Sequence, residues 1–181
     1  MPTNPLSDIT VSVQAVLVDG EADVPPADWC AAAIRHGLAQ VLAPQTIGQV
    51  SLLITDDETV RDLNREYRGL DQTTDVLSFS AQHSGHWEGT VNPEISEPDW
   101  PSDWPLPDDE PPPLGDIVVS LPQAKRQAFQ QGIPLRRELA LLLVHGALHL
   151  MGHDHYEDNE RQAMQDLERA ALDAIFGTPG N

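Results

Sequence analysis

Four of the chain's seven histidines stand in "LLLVHGALHLMGHDHYEDNE", positions 141–160. His145 and His149 are four apart inside an otherwise apolar run, so on a helix both rings leave one face, with Cβ atoms roughly 5–6 Å apart. Two imidazoles that close, in a low-dielectric setting, cannot both carry a proton cheaply. A divalent cation removes the conflict by taking a lone pair from each. Gly152 follows, and glycine can adopt the left-handed conformation that turns a chain out of a helix. Such a turn would bring His155 back toward the first two rings. Three neutral imidazoles leave one corner of a zinc tetrahedron open, the arrangement of catalytic zinc. The chemistry implied is hydrolysis, because such a centre acidifies water and polarises an oxygen.

The frame His-x3-His-x5-His, with glycine seven after the first histidine, is shared with the metzincin proteases, H-E-x-x-H-x-x-G-x-x-H. Residue 146 is glycine here, so the carboxylate that would activate water for peptide hydrolysis is missing. A zincin-type metal-dependent peptide or amide hydrolase is the rival enzyme reading, and Gly146 weighs against it. His153 reads as a non-ligand, since the flanking spacing already supplies three. Asp154 either orients a ligand ring or caps the helix that follows.

The elements that must position these residues can be read from periodicity. Ile9 to Val18 alternates apolar and polar residues, which predicts a strand with one apolar face. A helix follows Pro25 and Pro26, with Ile34, Leu38, Val41 and Leu42 at helical spacing. Gln49 to Thr55 reads as a second strand. Thr55 and Glu58 form a T-x-x-E capping box for a helix that stops near Gly69. Asp75–Ser80 and Gly115–Ser120 read as two more strands, with Asp75 as turn chemistry and Asp116 left without a role. Pro122 opens a helix that Gly132 ends, and Pro134 precedes the apolar helix running to about Met151. The last helix covers Asp158 to Phe176, with Met164, Leu167, Ala171 and Ile175 on one stripe. The result is an α+β fold: a four-stranded mixed sheet covered by helices, with a zincin-like central metal-binding helix and some parallel pairing.

Residues 1–181 read as a single domain, interrupted by a Pro-rich acidic loop insertion at about 81–113. That insertion has eight prolines, eight acids and no Lys or Arg, a composition that disfavours regular structure. Trp87, Trp100 and Trp104 within it read as anchors. Net charge is −19 and the pI about 4.4, so the surface as a whole repels nucleic acid. Seven of the ten Lys and Arg are clustered: Arg61, Arg65 and Arg68 beside one helix, and Lys125, Arg126, Arg136 and Arg137 near another. Either the fold gathers them into a local positive groove or they balance a solvated face. Cys30 reads as a small core residue. No secretory signal is visible, and no apolar run reaches the roughly 18 residues of a membrane span. A soluble, reducing, cytoplasmic setting is expected.

"HGALHLMGHDH" resembles the H-G-x-L-H-L-x-G-Y-D-H signature of the YbeY family, bacterial single-strand-specific metallo-endoribonucleases of ribosomal RNA maturation. "NREYRGLDQTTDVLSF" (64–79) and "LGDIVVS" (114–120) resemble that family's second and third blocks. His153 departs from the family's tyrosine. The resemblance implies one Zn2+ per chain held by His145, His149 and His155. It makes Arg68, in the "YRG" block, the conspicuous functional residue opposite the metal; its other role would be capping the preceding helix. The implied partners are single-stranded ribosomal RNA and the ribosome or its proteins, with no membrane involved. The implied role is hydrolytic endonuclease action in rRNA processing and ribosome quality control. A non-catalytic ribosome-assembly factor with a structural metal is the rival of another class.

Overall fold

The computed structural model describes residues 6–17, 23–83, 111–153 and 157–177. In chain order these form β1 (Ile9–Ala15), α1 (Ala27–Leu38), β2 (Gly48–Thr55), α2 (Asp57–Arg68), β3 (Val76–Ser80), β4 (Pro113–Ser120), α3 (Leu121–Gln131), α4 (Leu135–Leu150) and α5 (Asp158–Phe176). The expected insertion falls for the most part on 84–110, and Trp87, Trp100, Trp104, Asp154 and His155 likewise lie outside the described residues. Among the described residues, no helix is long and apolar enough to cross a membrane.

The sheet order is β1-β2-β4-β3. β1 runs parallel to β2, and β2 parallel to β4, with Leu52 opposite Ile117. β3 closes the edge antiparallel to β4, with Phe79 opposite Asp116. This is the mixed four-stranded sheet expected. Side chains alternate between its faces. Ile9, Val50, Leu52, Ile54, Ile117 and Val119 point into a core shared with α1, α3 and α4. Leu77 and Val118 point the other way, onto Val60 of α2. Central β4 is buried on both faces, which explains its unbroken "IVV" run.

α4 is apolar nearly all round because it is packed nearly all round. Leu139, Leu143, Leu148 and Leu150 are fully buried, and each such side chain contributes roughly 1.5–3 kcal/mol on leaving water. That anchoring holds a helix whose N-cap, Pro134, makes no side-chain cap bond. Gly37 of α1 lies so near α4 that a Cβ there would be 3.2 Å from Ala147 Cβ and Val144 Cα. Cys30 is buried in the same core, and burial pushes its thiol up to about 11, as suits a packing residue.

Several boundaries differ from the sequence reading: β1 ends at Ala15, α1 ends at Leu38 so that Val41 and Leu42 lie beyond it, and β4 begins at Pro113. The cap of α2 is Asp56, whose side chain accepts the Thr59 N–H at 2.8 Å. Thr55 still pairs with Ser120 in the β2–β4 ladder and is buried, so it is a strand residue, not a cap. The last helix has its own capping box, formed by Glu157 and Glu160.

Candidate active site

His145 and His149 leave α4 on one face, and their rings meet edge to face with centroids 4.5 Å apart. Their Nε2 atoms are 3.0 Å apart. On its other side, the His145 Nδ1 lies 2.7 Å from a carboxylate oxygen of Glu168 on α5. α5 is set there by its stripe: Met164 and Ala171 are buried against Val144 and Leu148 of α4. Glu168 lies between them, four after Met164 and three before Ala171, and so falls over His145.

A cavity of about 410 Å³ adjoins the outer side of this pair, lined by His145, Glu168, Asp75, Gln127, Glu138 and Arg161 among others. Glu138, seven residues before His145 on α4, is almost fully buried. Burial raises its pKa above the ordinary 4.5, and the neighbouring Asp75 adds to the shift. Asp75 serves its turn as expected, accepting the Val76 N–H at 2.8 Å, and it also accepts Gln127 Nε2 at 3.0 Å.

The residue after His145 faces the sheet. A Cβ on Gly146 would stand 3.0 Å from Ile117 Cγ2 and 3.1 Å from Ser78 Oγ. Any side chain there would have to push these neighbours aside, so the place of the protease glutamate is tightly packed.

α4 ends in the turn foreseen. Gly152 has φ +79°, and its N–H donates to His149 O at 3.0 Å. Ser80 of β3 braces this end: its hydroxyl donates to Leu150 O at 2.8 Å and accepts the His83 N–H at 2.9 Å. The His83 ring lies over Gly152, 3.2 Å from where a Cβ would be. The chain therefore turns out of the helix at Gly152, and His155 lies beyond the described residues. Among the described residues no group of three ligand side chains could hold a metal. The donor chemistry of the two that are described nonetheless fits one cation. Two imidazole Nε2 atoms converge, and the carboxylate at Nδ1 directs the other nitrogen of His145 toward that point.

Arg68 is the last residue of α2, which covers the sheet face opposite α4. It is partly buried, and its Nε has no hydrogen-bond partner among the described residues. Capping does not need it: Gly69 and Leu70 N–H donate to the Arg65 and Asn64 carbonyls. The other cations are matched locally. Arg61 and Arg65 pair with Asp71 and Asp62, Lys125 with Asp23, and Arg126 with Asp57. Arg136 and Arg137 lie over the rings of Trp29 and Phe176. They form a charge-balanced surface, not a positive groove around the histidines. Asp116 points to the α2 side, into a groove of about 470 Å³ with Tyr67 and Phe79, and does not join the histidines.

Sequence reasoning missed Glu168 and Glu138. Both carried a signal: Glu168 is a charge set within the apolar stripe of α5, and Glu138 opens the apolar face that ends at the histidines.

The fold is a known one. A solution structure of a Thermotoga maritima protein matches with a TM-score of 0.53 over 93% of this chain and 90% of that chain, at 18% identity, a likeness of fold alone. In sequence the chain is 42% identical over 127 residues to Endoribonuclease YbeY of Desulforamulus reducens, covering 70% of this chain and 72% of that one. It is 37% identical over 145 residues to Endoribonuclease YbeY of Desulfitobacterium hafniense, covering 78% and 83%. The relative from Rhizorhabdus wittichii, of the same name, is 40% identical over 134 residues, covering 74% and 71%. Residues 21–175 match the family model described as Endoribonuclease YbeY. The class so defined is the endoribonucleases, hydrolases that break phosphodiester bonds within RNA. This chain belongs to the YbeY family of that class.

Proposed function

We propose that the chain is a zinc-dependent endoribonuclease acting on single-stranded ribosomal RNA, in maturation and quality control of the ribosome in the cytoplasm. One Zn2+ per chain would be held by His145, His149 and His155 of one 1–181 domain. The observation that carries this reading is the convergence of two Nε2 atoms at 3.0 Å, one of them backed by a carboxylate. When bound, such a cation supplies Lewis acidity toward oxygens of water and phosphate.

The chain's own residues supply the rest. His145 and His149 offer lone pairs from a helix held rigid by its buried leucines. Arg68 carries a planar, permanently charged fork that matches phosphate oxygens. Edge strand β3 lies between them, with α2 packed on one face and α4 on the other. An RNA strand crossing that edge would meet Arg68 on one side and the histidines on the other. Arg68 then serves to hold a phosphate along the strand. The tight packing at Gly146 speaks against the peptide-hydrolase alternative.

Metal analysis of the purified protein, paired with cleavage of labelled single-stranded RNA and of casein, tests the reading. Zinc near one per chain and RNA cleavage are expected, lost in His149→Ala and kept in Arg169→Ala. Casein cleavage would favour the peptidase. Inactivity on both, with tight ribosome binding, would favour the assembly factor.

A further inference from the structure

We propose that Glu168 is the positioning residue of the site: its carboxylate fixes the tautomer of His145 and holds that ring ready for a cation before any cation arrives. The inference rests on the metal reading above and adds a residue from another helix to it.

Glu168 Oε1 is 2.7 Å from His145 Nδ1, and the two side chains are only 15% and 26% exposed. An ionised carboxylate can only accept a hydrogen bond, so the Nδ1 must carry the proton. In the neutral ring, Nε2 is then left as a lone pair. That lone pair points at His149 Nε2, 3.0 Å away. Two lone pairs facing each other at this distance repel, so in the metal-free protein one proton lies between the two Nε2 atoms. A cation taking both lone pairs displaces that shared proton and leaves the one on His145 Nδ1 in place. Glu168 makes His145 the ligand that is already in its binding form.

The packing shows that this carboxylate is placed, not incidental. Met164 and Ala171 bury α5 on Val144 and Leu148, the residues flanking the histidine face of α4. The same contact that docks α5 brings Glu168 onto the ring. Partners of this kind, which bind the far nitrogen of a metal-ligating histidine, typically change affinity by roughly 10- to 100-fold when removed.

The test uses the full chain in two measurements. Long-range proton–nitrogen NMR on metal-free protein with isotope-labelled histidines reports each ring's tautomer. His145 should carry its proton on Nδ1 in the wild type and in Glu168→Gln, whose amide oxygen still accepts. In Glu168→Ala it should become a mixture. Zinc affinity by chelator competition should fall roughly 10- to 100-fold in Glu168→Ala and less in Glu168→Gln, with Arg169→Ala as a control on the same helix. The proposal is overturned if wild-type His145 carries its proton on Nε2, or if Glu168→Ala changes neither tautomer nor zinc affinity. A wild type that binds no zinc but shows the Glu168-dependent tautomer would sink the metal reading while leaving the positioning contact standing. Should Glu168→Ala not fold, Glu168→Gln and the wild-type spectrum still decide.

Discussion

Gly146 packs on Ser78 so closely that a Cβ would stand 3.1 Å from the serine hydroxyl. Here the helix that carries the histidines meets edge strand β3. Gly146→Glu would drive a carboxylate between Ile117 and Ser78 with no cation to meet it. Stability should drop by on the order of 3–5 kcal/mol, the range for a buried charge left unpaired, and no peptidase activity should appear. Gly146→Ala sets a helix-propensity gain of about 0.5–1 kcal/mol against an overpacking cost of about 1–3 kcal/mol. It should fold, slightly destabilised. Urea denaturation with a casein assay checks both; a stable, proteolytic Gly146→Glu would contradict the packing argument.

Arg68 and the paired histidines lie on opposite sides of the sheet, so their losses should separate. Arg68→Ala should leave zinc binding unchanged and weaken RNA binding, with a shallower dependence of affinity on salt. Arg68→Lys should restore charge but not the fork, and so recover only part of the loss. Equal RNA binding by wild type and Arg68→Ala, at several salt concentrations, would remove Arg68 from the site.

Asp56 caps α2, and the Thr59 N–H it accepts holds its carboxyl below the ordinary 3.8. The folded state thus favours the ionised form. The stability it adds is present above pH 3.8 and is lost as pH falls through the lower folded value. Asp56→Ala should cost roughly 0.5–2 kcal/mol near neutrality, and the gap should close in acid. Chemical denaturation of both proteins across the acid range measures this; a gap that stayed constant would show that the charge plays no part.

Glu138 has the opposite sign. Burial holds its carboxyl above 4.5, so the folded chain binds that proton more tightly than the unfolded one. Its contribution to stability is fully present below pH 4.5 and is lost as pH rises through the folded value. Glu138→Gln keeps the shape without the charge. It should match the wild type in acid and exceed it near neutrality, as read by denaturation midpoints. A variant weaker than the wild type at neutral pH would mean that the ionised carboxylate is itself stabilising.

Much of this was legible in the residues. The apolar run around His145 and His149 announced a buried helix, because it is too long for a strand buried on both faces. Strand alternation and the glycines after α2 and α3 placed most boundaries to within two residues. The cap of α2 was off by one because both Thr55 and Asp56 can cap, and only the β2–β4 ladder decides that Thr55 belongs to the strand. Glu168 was not found because its partner is 23 residues away on another helix. Spacing within one element reveals i and i+4 neighbours; it does not reveal which helix docks on which. The fate of the basic residues was equally invisible, since their ion pairs depend on where Asp71, Asp57 and Asp23 come to lie.

The antiparallel junction of β3 and β4 has a consequence for how this chain tolerates its long acidic stretch. Parallel neighbours must be linked by a crossover of some minimum span, as α1 links β1 to β2. Two antiparallel neighbours need only be joined end to end. The entropy of closing such a connection grows with the logarithm of its length, about 0.6 kcal/mol for each doubling. Going from a tight turn to some thirty residues therefore costs only about 2 kcal/mol by that scaling. Growth at this point taxes stability lightly, and it begins just past the Ser80 brace on the histidine helix, so that it leaves intact the scaffold holding the rings.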